Sequence, residues 1–243
     1  MSARMIRVLG PVDVTTPEGD IDVGGRRPQM VLGALVMSVG HTVSMDHLVD
    51  VVWAGDSPDH AVNTIQSYIS RLRHVLGPDA IRSIDGGYLL DVRVDELDAL
   101  QFERLVRDAR EQSDPECARA TCRRALRLWR GTPFGDLSRE DPFRLEAIRL
   151  NELRLLAMEL QLEAEISLGF CDLVVGELEA AVQENPYRER LWYLLIDALA
   201  CDGRRVEALR ACADLRRILG EVGLEGGAHL DVLEDRILAG DEV

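Results

Sequence analysis

Asn63-Thr64-Ile65-Gln66-Ser67-Tyr68-Ile69-Ser70-Arg71-Leu72-Arg73-His74-Val75-Leu76 is the stretch on which the fold turns. At about 100° per residue, Val62, Ile65, Ile69, Leu72 and Leu76 form one apolar stripe, the mark of an amphipathic helix. Asn63, Thr64, Ser67, Ser70, Arg71 and His74 fall on the opposite side. No carboxylate stands among them, although the 243-residue chain carries a net charge of −15. Hydrogen-bonding and cationic side chains of this kind read base edges and grip phosphates, so this face suits an anionic partner.

The flanks make the helix the second of a pair. Ser44 is a good N-cap for a helix over 44–53, whose Leu48, Val51 and Val52 can face inward. Ala54-Gly55-Asp56-Ser57-Pro58-Asp59 breaks it before the helix at 62–76 begins, and Gly77-Pro78 stops that one. Two short helices joined by a turn, the second with a polar outward face, form a helix-turn-helix. Ile81 to Ile84 and Tyr88 to Val92 are β-prone, and Asp85-Gly86-Gly87 between them supplies a hairpin turn. A hairpin in this place is a wing, able to lay Gly87 and Tyr88 against a groove or phosphate. Upstream, strands are expected at Met5–Leu9, Val12–Val14 and Ile21–Val23, then a helix at Arg26–Val39 ended by Gly40.

Composition bounds the partners. The charge of −15 repels nucleic acid at long range, so any DNA contact must be a local patch. Residues 1–95 carry 8 Arg against 12 Asp and Glu, residues 96–243 carry 20 against 31, so the front is the less acidic part. Every basic residue among the 28 is Arg, a bias that runs through both parts and is explained by genomic base composition. The five cysteines include no C-x-x-C and are odd in number, so reduced thiols rather than a zinc site or disulfide framework are expected. The five histidines lack metal-ligand spacing, and neither a metal nor a cofactor is expected. No apolar run approaches the roughly 20 residues of a membrane span, and Met1 to Gly10 lacks a signal-like core; the expectation is a cytoplasmic protein without a membrane partner.

From Asp95 onward the pattern is helical, with helices expected over 98–110, 115–130, 144–168, 172–184, 188–202, 204–219 and 228–238. Gly169 and Gly203 lie 34 residues apart, and the same offset pairs Leu160 with Leu194 and Ala164 with Ala198. That period marks tetratricopeptide-like stacking of helix pairs.

Several stretches, in this order, resemble the Streptomyces antibiotic regulatory protein (SARP) family: Ile6-Arg7-Val8-Leu9-Gly10-Pro11-Val12, Asn63 through Arg73, Gly87-Tyr88-Leu89-Leu90, Ala125-Leu126-Arg127-Leu128-Trp129-Arg130-Gly131, Tyr187 through Trp192 and Gly203 through Leu209. The resemblance implies a mixed fold. An OmpR-type α/β winged helix-turn-helix occupies 1–95 and an all-α, tetratricopeptide-like bacterial transcriptional activator domain 96–243. It also implies a non-enzymatic activator that binds direct repeats in double-stranded promoter DNA of antibiotic gene clusters, homo-oligomerises there and recruits RNA polymerase holoenzyme. Longer relatives append ATPase modules; this chain, ending at Val243 without a phosphate loop, resembles the short form. It departs from the family at Ala211 and Cys212, and at Glu225-Gly226-Gly227.

The candidate DNA-binding residues are Trp53, Asn63, Thr64, Ser67, Tyr68, Ser70, Arg71, Arg73, His74, Gly87 and Tyr88. The resemblance points Arg71 into the major groove, where an Arg–guanine fork supplies about 1–3 kcal/mol of discrimination. Arg73, at the flank of the stripe, suits a phosphate. Thr64, Ser67, Tyr68 and Ser70 can donate to phosphates near the helix start. Trp53 and Tyr88 are either phosphate donors or core residues. Arg26 and Arg27 open their helix with positive charge, against its dipole. The competing reading is a repeat-type scaffold whose winged helix no longer binds DNA. An enzyme ranks below both, for want of a nucleophile–base constellation, a cofactor loop or paired carboxylates.

Overall fold

A computed structural model of the chain describes residues 4–224 and 227–239. The departure noted at Glu225 and Gly226 lies outside them. The described residues fall into two compact units, one of Met1–Arg107 with Arg124–Arg154, the other of Asp108–Arg123 with Leu155–Val243.

The first unit opens with a meander of β1 (Met5–Arg7), β2 (Asp13–Thr16) and β3 (Gly19–Ile21) in that order, with Ile6 opposite Val14 and Val14 opposite Ile21. These strands are displaced from the stretches expected: Val8 and Leu9 leave the sheet to bond elsewhere, and the Pro17 turn sits inside a longer β2–β3 hairpin. Then come α1 (Arg26–Met37), β4 (Thr42–Ser44), α2 (Met45–Trp53), α3 (Ala61–Leu76), β5 (Ile81–Ile84) and β6 (Gly87–Leu90). The second sheet has the order β4-β6-β5. Its edge strand β4 is not legible from periodicity, since three residues are too few to alternate. Ser44 caps α2 as expected, its hydroxyl accepting from the His47 amide at 3.1 Å.

The hydrophobic interior of this unit is built where α1, α2 and α3 present Leu32, Leu35, Leu48, Ile65, Ile69 and Leu72, all fully buried. A close approach tightens it: a Cβ on Gly33 of α1 would stand 2.6 Å from the Phe143 ring. The stretch after β1 is fixed by long-range bonds. Asp98, 1% exposed, accepts from the amides of Val8 (2.9 Å) and Leu9 (3.0 Å). On the carbonyl side, the amides of Arg130 and Phe134 donate to Leu9 and Val8, each at 2.8 Å. Burial pushes the Asp98 carboxyl up to about 6, against the pull of those amides.

The helices beyond are α4 (Asp98–Glu111), α5 (Pro115–Leu126), α6 (Phe143–Ser167), α7 (Cys171–Glu184), α8 (Glu189–Cys201), α9 (Arg205–Glu221) and α10 (Ala228–Ala239), with short 3-10 turns at 94–96 and 135–139. In the second unit α7, α8 and α9 pack in sequence around Leu178, Leu191, Trp192, Leu199 and Leu215. The 34-residue period has a backbone cause. Gly169 and Gly203 both adopt positive φ (82° and 77°), and the next amide reaches back five residues each time, Phe170 to Glu165 and Arg204 to Leu199. Gly223 (φ 77°), with Leu224 bonded to Leu219, repeats the same end on α9. These are Schellman closures, which glycine adopts without Cβ strain.

The expectation of only free thiols is corrected. Cys171, the first residue of α7, and Cys201, the last of α8, are joined as a disulfide with Cα atoms 6.0 Å apart. The spacing of 30 residues hides the pairing. Two antiparallel helices of 14 and 13 residues bring the start of one beside the end of the other. Cys117, Cys122 and Cys212 stay free.

Candidate nucleic-acid interface

The α3 helix supplies the surface. Its buried side is Ala61, Ile65, Ile69, Leu72 and Val75. Val62, expected in the stripe, is instead 45% exposed, and Ala61 and Val75 take the inner positions. The helix begins a residue earlier than expected, and its real inner face is rotated relative to the one drawn from large residues alone. No carboxylate lies in its first turn, no side chain caps it, and Arg73 and His74 occupy its last turn.

Asn63, Ser67, Ser70, Arg71 and His74 are exposed, at the helical spacing that gathers them along the outward side, whereas Thr64 and Tyr68 are half-buried at its border. Gln66, omitted from the candidates, is exposed on the same side; the row 63, 66, 67, 70, 74 was its signal. The hydroxyls of Thr64 and Ser67 donate back to the carbonyls of His60 and Asn63, both at 3.0 Å. They must rotate before they can donate to a phosphate.

The arginines divide. Arg71 has no ion pair among the described residues, and its guanidinium rests on the backbone of Gly24 in the loop before α1. A Cβ on Gly24 would lie 3.0 Å from its Cζ and 3.1 Å from Nη1, and φ there is +113°. Arg73 is turned inward: its Nε donates to the Ile81 carbonyl at 2.8 Å and its Nη2 to Ser83 Oγ at 2.9 Å, with Cζ 5.7 Å from the Tyr88 ring centre. This guanidinium, expected on a phosphate, ties α3 to the hairpin, because the flank of the stripe faces β5.

Gly87 and Tyr88, expected on the wing, lie within the sheet. Gly87 is buried in the central strand, where a Cβ would meet the Val43 carbonyl at 2.3 Å. Tyr88 is 8% exposed beside it. The hairpin turns on Asp85 and Gly86, both at positive φ (21° and 77°), without Gly87, so Gly87 joins Tyr88 inside β6. The exposed hairpin groups are Arg82, paired with Asp91 at 3.2 Å, Ser83 and the Asp85 carboxylate at the tip.

Trp53 is half-buried at the end of α2, with the Arg27 guanidinium 5.4 Å over its ring. Arg26 is ion-paired with Glu140, which neutralises one of the two positive charges at the start of α1. Among the described residues no group of His, Cys, Asp and Glu could hold a metal ion, and no helix is long and apolar enough to cross a membrane.

The comparisons with known proteins fit this arrangement. Residues 25–90 match the family described as transcriptional regulatory protein, C terminal, and residues 97–238 match the bacterial transcriptional activator domain. The chain is 33% identical to the regulatory protein DnrI of Streptomyces peucetius, over 97% of this chain and 92% of DnrI. It is 35% identical to the regulatory protein AfsR of Streptomyces griseus, over 99% of this chain but 25% of AfsR. A solved structure of Mycobacterium tuberculosis EmbR, in complex with a low-affinity phosphopeptide, superposes with a TM-score of 0.90 at 30% identity, over 100% of this chain and 67% of that one.

Proposed function

The chain belongs to the Streptomyces antibiotic regulatory protein family, and from that premise we propose that it is a sequence-specific DNA-binding activator of a secondary-metabolite gene cluster. The observation that carries the reading is the acid-free outward side of α3, with Arg71 exposed on it and unpaired. In this reading α3 enters the major groove, Arg71 forks onto a base edge, and Asn63, Gln66, Ser67, Ser70 and His74 border it. Arg73 and Tyr88 hold the hairpin in place rather than touch DNA, and Trp53 with Arg27 stands near the sugar-phosphate backbone.

The overall charge of −15 weakens a single module on DNA, so two or more copies on direct repeats gain by avidity. The helical unit supplies protomer contacts and recruits RNA polymerase holoenzyme. The scaffold alternative draws support from the Asp85 carboxylate at the hairpin tip and the self-bonded Thr64 and Ser67 hydroxyls.

Fluorescence anisotropy of the purified chain on the intergenic DNA beside its own gene, at rising salt, separates the two. An activator that neutralises several phosphates loses affinity with a log–log slope of about −0.9 per phosphate. A flat response, or equal binding to unrelated DNA at every salt, favours the scaffold.

A further inference from the structure

We propose that Cys171 and Cys201 form a reversible thiol–disulfide site that staples the helical unit and is opened by a dithiol reductant of the thioredoxin class. The two halves of the bond differ in access. Cys171 is 3% exposed and begins α7, whereas Cys201 is exposed at the end of α8. A reductant thiolate therefore attacks Cys201 Sγ. The bond to Cys171 Sγ breaks, and its electron pair leaves on Cys171 as a thiolate, which then takes a proton. The second thiol of the reductant closes on the mixed disulfide and frees Cys201 as a thiol. Two electrons and two protons pass from the dithiol, which ends as a disulfide, to the protein; a small disulfide such as oxidised glutathione drives the reverse.

The leaving sulfur belongs to the first residue of α7, and a thiolate is stabilised at a helix start. The remaining cysteines are poor competitors. Burial pushes the thiols of Cys122 and Cys212 up to about 11. Asp114, accepting from Cys117, raises that thiol as well. Only the thiolate reacts, so the stapled pair is the responsive one. A protein that works on chromosomal DNA sits among reductants, where a persistent disulfide is a sensing element rather than a passive brace. That compartment argument rests on the DNA-binding reading; the chemistry of the pair does not.

The bond ties the start of α7 to the end of α8. These two helices, with α9, wall a concave groove of about 440 Å³ lined by Val182, Trp192, Leu199, Glu207 and Ala211. Cys201 stands two residues beyond Leu199, so opening the bond releases the α8 wall at that end, while the α7 lining at Val182 lies about three turns from Cys171.

The test uses the full chain, equilibrated with oxidised glutathione or with dithiothreitol, alkylated under denaturing conditions and mapped by peptide mass spectrometry alongside thermal melting. After oxidation a Cys171–Cys201 linked peptide is expected with the other three cysteines labelled, and after reduction all five labelled. Closing a loop of 30 residues is expected to raise the melting temperature of the helical unit by on the order of 10 °C, a rise absent from Cys171→Ser. Full labelling after oxidation, a different cysteine pairing, or a melting temperature indifferent to reduction would overturn the proposal. Neither readout involves DNA, so the fate of the promoter-binding reading is decided separately.

Discussion

Arg73 Nη2 stands 2.9 Å from Ser83 Oγ, a side-chain bond from α3 to the first strand of the hairpin. With Nε on the Ile81 carbonyl at 2.8 Å, one guanidinium sets the angle between α3 and β5. Arg73→Ala removes both bonds and the cover over the Tyr88 ring. The expected loss is about 1–2 kcal/mol of stability in urea denaturation, on the scale of charge-assisted hydrogen bonds at a half-exposed site. Arg73→Lys restores little, because an ammonium cannot serve two acceptors in fork geometry. A wild-type midpoint for Arg73→Ala would show that the tie holds nothing.

Arg71→Ala separates reading from folding. Arg71 is exposed and makes no ion pair among the described residues, so the stability in urea is expected to move by no more than about 0.5 kcal/mol, as for ordinary surface changes. Promoter affinity is expected to fall roughly 5- to 150-fold, the equivalent of about 1–3 kcal/mol for one base-reading fork. Anisotropy titrations that give the same affinity for both proteins would take Arg71 out of the reading role.

Asp98 gives the fold a pH dependence with a definite sign. Its folded carboxyl is raised to about 6 from an ordinary 3.8, chiefly by burial, so the folded state holds a proton that the unfolded chain has released between those values. Its contribution is therefore most favourable below about 4 and declines as pH rises to 6, by on the order of 3 kcal/mol. Asp98→Asn has no such titration. Plotted from pH 4 to 7.5, wild-type stability minus that of Asp98→Asn should fall until about pH 6 and then level off. A constant difference across that range would mean that the amides of Val8 and Leu9 fully offset the cost of burial.

Gly87→Ala is expected to be severe. The added carbon would lie 2.3 Å from the Val43 carbonyl, inside the ladder between β4 and β6, and neither backbone can retreat without breaking it. Overpacking of this kind costs about 1–3 kcal/mol or more. A melting temperature within a degree or two of wild type would contradict the register that pairs Ser44 with Gly87.

What the sequence disclosed was whatever is settled locally. The Ser44 cap, the apolar period of α3, the glycine stops and the 34-residue recurrence each depend on neighbours within a turn or two, and each appears in the structure. What it hid depends on distant partners. Three-residue β4 exists because β6 pairs with it. The sequence of α3 alone suits Arg73 to a phosphate, since nothing in that helix reveals Ile81 and Ser83 beside it. For Tyr88 the residues leave core and phosphate open, and only its packing beside Val43, across the ladder between β4 and β6, decides for burial. Hydrophobicity alone draws Val62 inward, whereas the structure buries Ala61 and leaves Val62 45% exposed. The disulfide needed the lengths of two helices, not the spacing of two letters.

The anchoring of Val8 and Leu9 bears on how such regulators can be recombined. Asp98 holds their amides, and the backbone at Arg130 and Phe134 holds their carbonyls, so the opening strands are finished by residues that arrive about a hundred positions later. A hybrid that joins the front of one relative to the rear of another near residue 95 brings together halves of a lock cut for different keys. A transplant that carries the chain through Arg154 keeps Val8 and Leu9 with their own bolts, but it parts Asp108–Arg123 from the rest of its unit.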